Sequence, residues 1–155
     1  TGYQWFGITR LDPEEMYRGV TSAAPVLNEF IDRELAALGL DETRLVLAGF
    51  SQGTMMSLQV GLRRATAPAA IVGFSGALAG PDKLQSEIRV RPPILMIHGD
   101  SDEMLPVSRM HEAVQALGLA GLNVQWHISR GTGHGIAPDG LALAGQFIHD
   151  ALNKI

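Results

Sequence analysis

The sequence predicts an α/β domain: a mainly parallel sheet with helices on both faces. Three observations point there. Short apolar runs alternate with helix-length amphipathic segments along most of the 155 residues. Three of those runs, Leu45–Phe50, Ala69–Ser75 and Ile94–His98, are apolar throughout, as strands buried on both faces are. Lastly, a Gly-x-Ser-x-Gly pentapeptide, Gly49-Phe50-Ser51-Gln52-Gly53, joins the first run directly to a helix.

Taken in order, residues 1–11 carry Tyr3, Trp5 and Phe6 without a clear period and read as a surface loop. Asp12-Pro13-Glu14-Glu15 is a helix start, with a capping acid, Pro in the first turn and acids against the dipole. The helix runs to Leu38 with Val20, Ala24, Leu27, Ile31, Leu35 and Leu38 on its core face. Pro25 should kink or restart it, and Gly39 should cap it. After the first strand, Gln52 to Arg64 reads as a helix, and Gly76 to Pro93 follows the second strand as a polar connector. Val107–Leu117 is a helix, and Asn123–Ser129 alternates, placing Val124, Trp126 and Ile128 on one face of a strand near the sheet edge. Arg130–Gly135 is a loop. Pro138–Leu152 is a last helix with Leu141, Ala144, Ile148 and Ala151 turned to the core. No repeat or low-complexity segment interrupts the single domain, residues 1–155.

Composition removes several functions. The net charge is −4 with no basic cluster, which argues against nucleic acid and anionic membrane as partners. No apolar run approaches membrane-spanning length, so stable membrane insertion is not expected. The absence of cysteine removes disulfides, thiolate catalysis and Cys-ligated zinc, and fits a cytoplasmic protein.

Ser51 carries the chemical signal. A strand that turns into a helix over one residue strains that residue and projects its side chain. Gly49 and Gly53 leave room for strand and helix to close, and the helix N-terminus offers free N–H groups beside the serine oxygen. A nucleophilic serine needs a base and an acid that orients the base. His134 sits in a glycine-rich loop after the last strand, where a mobile, exposed imidazole is expected. Asp102 lies four residues past the strand end at His98; Asp100 competes for the role but suits holding the turn through backbone N–H groups. All three follow strand ends, where ligands bind in parallel sheets. The chain order Ser, Asp, His is that of α/β-hydrolases. His98, His111, His127 and His149 read as structural, and Met55, Met56, Met96 and Met110 as core filler, whereas Met104 can line the site.

Gly49-Phe-Ser-Gln-Gly53, His98-Gly-Asp-Ser-Asp102 with Leu105-Pro106, and Gly133-His134 together resemble the three catalytic segments of the phospholipase/carboxylesterase family of α/β-hydrolases, which includes the acyl-protein thioesterases. The resemblance runs from about Trp5 to about Leu152. It implies the α/β-hydrolase fold and a Ser51–His134–Asp102 triad, with the Gln52 N–H as one oxyanion donor. It further implies hydrolysis of carboxylic ester or thioester bonds in small-molecule or lipid-like substrates, without a cofactor or metal. Leu78, Met104 and Leu105 are the candidate substrate-binding residues. Gly7 stands where that family's Trp-Phe-Asp segment has its acid. The family's first strands, and its His-Gly loop with the second oxyanion donor, have no counterpart here. The chain is therefore expected to be the C-terminal two-thirds of a hydrolase domain, its sheet completed by the N-terminal part of the same protein. Two other functions compete: a metal-dependent hydrolase using His98, Asp100, Asp102 and His134, and a non-catalytic interaction module.

Overall fold

The computed structural model describes residues 2–8 and 12–154. Helix α1 spans Pro13–Leu38, followed by strand β1 (Val46–Phe50), helix α2 (Gln52–Gly61) and strand β2 (Ala70–Phe74). Then come a short helix α3 (Leu84–Glu87), strand β3 (Ile94–Gly99), helix α4 (Ser108–Leu119), strand β4 (Val124–Ser129) and helix α5 (Pro138–Leu152). The four strands form one parallel sheet in the order β1-β2-β3-β4. Thr9–Leu11, part of the expected N-terminal loop, lie outside the described residues.

Side-chain alternation divides the core in two. Leu47, Ile71, Ile94 and Met96 point to one face and pack with Met16 and Val20 of α1, Met55 and Leu58 of α2, and Met110 and Leu117 of α4. Val72, Phe74, Leu95 and Ile97 point to the other face, where α5 lays Ala144, Phe147 and Ile148 against them. β2 and β3 are buried along their whole length, as their apolar runs predict.

β1 departs from that expectation. No strand pairs with its outer edge among the described residues. Ala48 and Phe50, which share the α5 face through their register with Val72 and Phe74, are exposed. An apolar run reports suitability for burial; whether something covers it is settled by neighbours elsewhere in the chain.

Other differences are local. α1 continues through Pro25 without restarting. The carbonyl that Pro25 leaves without an intrahelical donor is that of Thr21, and both residues face solvent, where water substitutes. Asp12 caps this helix by accepting from the Glu14 N–H at 2.9 Å, and Gly39 closes it in the left-handed conformation, φ 65°. Leu38 is exposed, not core-facing, because the helix ends there. α2 stops at Gly61, three residues before Arg64. The connector after β2 is not polar throughout: Gly76–Gly80 is buried, with Ala77, Leu78 and Ala79 joining the larger core. On α5 the buried stripe contains Gly140 and Ala144, whereas Leu141 is 60% exposed. Gly140 sets the contact: a Cβ there would lie 2.8 Å from Ile97 Cγ2, so the helix backbone rests on β3 and Leu141 is rotated outward.

Candidate active site

The loops after the carboxyl ends of β1, β3 and β4 converge on Ser51. Ser51 has φ 57° and ψ −114°, a conformation that non-glycine residues rarely adopt. Several contacts hold it there. The Ser51 N–H donates to the Phe74 carbonyl at 2.9 Å, fastening the turn to β2. The buried Thr54 hydroxyl lies 2.9 Å from the Gly49 carbonyl and 2.8 Å from that of Phe74, sharing one proton between strand ends. A Cβ on Gly49 would lie 2.2 Å from the Gly53 carbonyl group, so helix and strand close only because Gly49 lacks one. Gly53 is different: a Cβ there meets nothing, and the expected crowding is one-sided.

His134 faces Ser51 with Nε2 at 3.1 Å from Oγ, and its Nδ1 lies 2.7 Å from Asp102 Oδ2. With Nδ1–H donating to the carboxylate, the Nε2 lone pair points at the serine hydroxyl. The Phe50 ring packs tilted against the imidazole, centroids 4.9 Å apart. The expected mobile, exposed imidazole is thus half-buried and braced. Its loop is pinned as well. Ser75 Oγ donates to the Gly135 carbonyl (3.0 Å), the Ser101 N–H to that of Thr132 (2.9 Å), and the Gly131 N–H to Asp100 Oδ1 (2.8 Å).

Asp102 is 8% exposed. Its Oδ1 accepts from the N–H groups of Met104 (2.9 Å) and Leu105 (2.8 Å). Burial by itself would raise this carboxyl's pKa. The Leu105 N–H, His134 and the Met104 N–H outweigh burial and hold it below the ordinary carboxylate range. Asp102 is therefore a carboxylate throughout the neutral range. Asp100 spends its carboxylate on Gly131 N–H and the Ser101 hydroxyl, bracing the neighbouring loop beyond its own turn. His98 is fully buried, with Nε2–H donating to the Leu105 carbonyl at 2.8 Å, so it buttresses the Asp102 turn. Among the described residues no three His, Asp or Glu side chains are arranged to hold a metal ion; His98 and His134 lie 3.4 and 2.7 Å from the same Asp102 Oδ2, while Asp100 turns to Gly131 and Ser101.

A groove of about 760 Å³ opens beside Ser51, bordered by Trp5, Phe50, Gln52, Met104, Leu105 and His134 among others. Met104 is 70% exposed and Leu105 is buried at the groove's edge. Leu78 is not there. It lies in the core and borders a separate cleft of about 60 Å³ with Pro13 and Met16. Sequence reading passed over Ser75, Thr54 and the Gln52 side chain. Ser75 shares the positive φ of Ser51 (51°) and follows a buried strand, a faint signal of a second tight turn.

The model of the phospholipase/carboxylesterase family matches residues 1–152. Acyl-protein thioesterase 1 of Gibberella zeae is 28% identical over 160 residues, covering 96% of this chain and 68% of that protein. Acyl-protein thioesterase 1 of Schizosaccharomyces pombe is 41% identical over 91 residues, 57% of this chain and 40% of the relative. Among solved structures, esterase PE8 superposes with a TM-score of 0.92 at 41% identity, over 97% of this chain and 71% of that one. A phospholipase/carboxylesterase from Dyadobacter fermentans superposes with a TM-score of 0.76 at 26% identity, over 94% and 71%. The chain thus spans about two thirds of the length of several relatives, and it belongs to the phospholipase/carboxylesterase family of α/β-hydrolases.

Proposed function

We propose that this protein is a serine carboxylesterase that cleaves carboxylic ester or thioester acyl bonds through an acyl-enzyme on Ser51. The hydrogen-bonded row Ser51 Oγ, His134, Asp102, at 3.1 and 2.7 Å, carries this reading. His134 Nε2 takes the Ser51 proton as Oγ attacks the carbonyl carbon. The negative charge on the carbonyl oxygen meets the N–H of Gln52, first residue of α2, which lies at the positive end of the helix dipole. Asp102 keeps the imidazole in the Nδ1–H tautomer and balances the imidazolium. His134 then protonates the departing alkoxide or thiolate. A water molecule, deprotonated by the same imidazole, releases the acid. Met104 and Leu105 border the groove that would receive the acyl ester. A cytoplasmic setting, suggested by the cysteine-free composition, belongs to the same proposal.

The proposal includes a further strand, from an upstream part of the same protein, paired to the open edge of β1 and bringing the second oxyanion donor. The unpaired edge and the exposed Ala48 and Phe50 support it, since apolar strands are seldom left uncovered.

Ser51→Ala tests the chemistry: loss of a triad nucleophile removes on the order of 10⁶ in turnover. A serine-directed phosphonate should inactivate the wild type stoichiometrically, and a chelator should not. A variant with a tenth of wild-type activity would end the serine reading. Residues 1–155 produced alone test the strand, which a soluble, cooperatively melting, esterolytic monomer would make unnecessary.

A further inference from the structure

Gln52 does two things at once. Its main chain begins α2 beside Ser51, while its side-chain amide reaches the N-terminal segment. Gln52 Oε1 accepts from the Trp5 N–H at 2.9 Å, and Nε2 donates to the Phe6 carbonyl at 3.0 Å. Donor and acceptor of one carboxamide are thus matched to two successive residues of a stretch with no helix or strand of its own. The second attachment is apolar. The buried Phe6 ring fills a notch over Gly19 of α1, where a Cβ would lie 2.2 Å from Phe6 Cδ2. Around these two anchors, Tyr3, Gln4, Trp5 and Ile8 line the groove beside Ser51.

We propose that the Gln52 side chain is a positioning group that fastens this wall to the nucleophile turn and so sets which acyl groups the site accepts. The inference rests on the serine esterase reading. His134 must protonate the departing group, so that group lies on the imidazole side of Ser51. With the carbonyl oxygen at the Gln52 N–H, the acyl chain takes the remaining direction from the carbonyl carbon, along the groove that Trp5 lines, and that wall is tied to the Gln52 side chain. A loosened wall therefore weakens contact with long acyl chains and leaves an acetyl group, which does not reach it, less affected.

The measured quantity is the ratio of kcat/KM for p-nitrophenyl octanoate to that for p-nitrophenyl acetate, on the full chain. Gln52→Met removes both hydrogen bonds at similar length and should lower the ratio about tenfold. Gly19→Ala drives a methyl into the Phe6 ring from outside the reacting residues; it should lower the ratio in the same direction while acetate turnover holds. Gln52→Glu supplies a signature that general destabilisation would not. As a carboxylate it has no proton for the Phe6 carbonyl, but as a carboxylic acid it regains the amide's donor and acceptor. Its ratio should recover as pH falls towards the ordinary Glu range of about 4.3. Any effect of pH on the step common to both esters cancels in the ratio. Trp5 fluorescence, read in a Trp126→Phe background, reports the wall without turnover. If Ser51→Ala stays active while Gln52→Met shifts the Trp5 signal, the nucleophile reading fails and the clamp stands. An unchanged ratio in Gln52→Met, or no recovery of Gln52→Glu in acid, overturns the clamp.

Discussion

β1 and β3 look alike as sequences and occupy opposite situations. Each is a short apolar run ending at a glycine-containing turn, and each delivers one member of the Ser51–His134–Asp102 row. β3 is paired on both edges and buried on both faces, under α5 on one side and the larger core on the other. β1 is paired on one edge, and part of its α5-side face is open. Yet Ser51 is held as definitely as Asp102. The Ser51 turn takes its rigidity from its own covalent geometry, the Gly49–Gly53 approach and bonds to β2. Asp102 takes its rigidity from neighbouring loops: backbone N–H groups, His98 behind the turn and the pinned His134 loop in front. A turn geometry can be written locally; a carboxylate's environment must be assembled from several strands.

The largest effect that sharpens this contrast lies in the two aspartates after β3. Asp102→Asn should lower kcat on the order of 10⁴-fold, because the imidazole loses its tautomer control and compensating charge. Asp100→Asn removes a brace at Gly131 and should lower the melting temperature more than turnover. Steady-state kinetics with thermal melts of both variants decides it, and swapped effects would mean that the wrong carboxylate has been assigned the role.

A smaller effect separates the strands themselves. Leu95→Ala opens a cavity between β3 and α5 and should destabilise by about 2–5 kcal/mol. Val46→Ala, half-buried at the start of β1, should cost below about 1 kcal/mol while the edge of β1 is uncovered, and more once the proposed upstream strand pairs with it. Denaturant titration of the two variants measures the difference. Equal losses would mean that β1 is covered in solution.

The smallest expected effect is on stability in acid. The folded-state pKa of Asp102 is depressed, so its ionised form favours the folded state above the unfolded carboxyl value of about 3.9. That contribution is present at neutral pH and is lost as pH falls through the folded value. The melting-temperature gap between wild type and Asp102→Asn should therefore close in acid below about pH 4. A gap that stays constant into strong acid would contradict the environment described for this carboxylate.

The residue pattern carries the element order, the parallel α/β class and the places from which Ser51, Asp102 and His134 depart, because periodicity and the Gly-Phe-Ser-Gln-Gly turn are local properties. It also made Asp100 legible as a brace, although the N–H it accepts from belongs to another loop. Tertiary structure alone decided what lies far apart in the chain. Among the described residues it left the outer edge of β1 unpaired, buried the connector at Ala77–Ala79, turned Leu141 outward over the Gly140 contact and took Leu78 away from the groove. It also joined the Gln52 amide to Trp5 and Phe6, more than forty residues upstream. A residue's side-chain type says which partners it can satisfy. Only the packing of distant segments says which of them come within 3 Å.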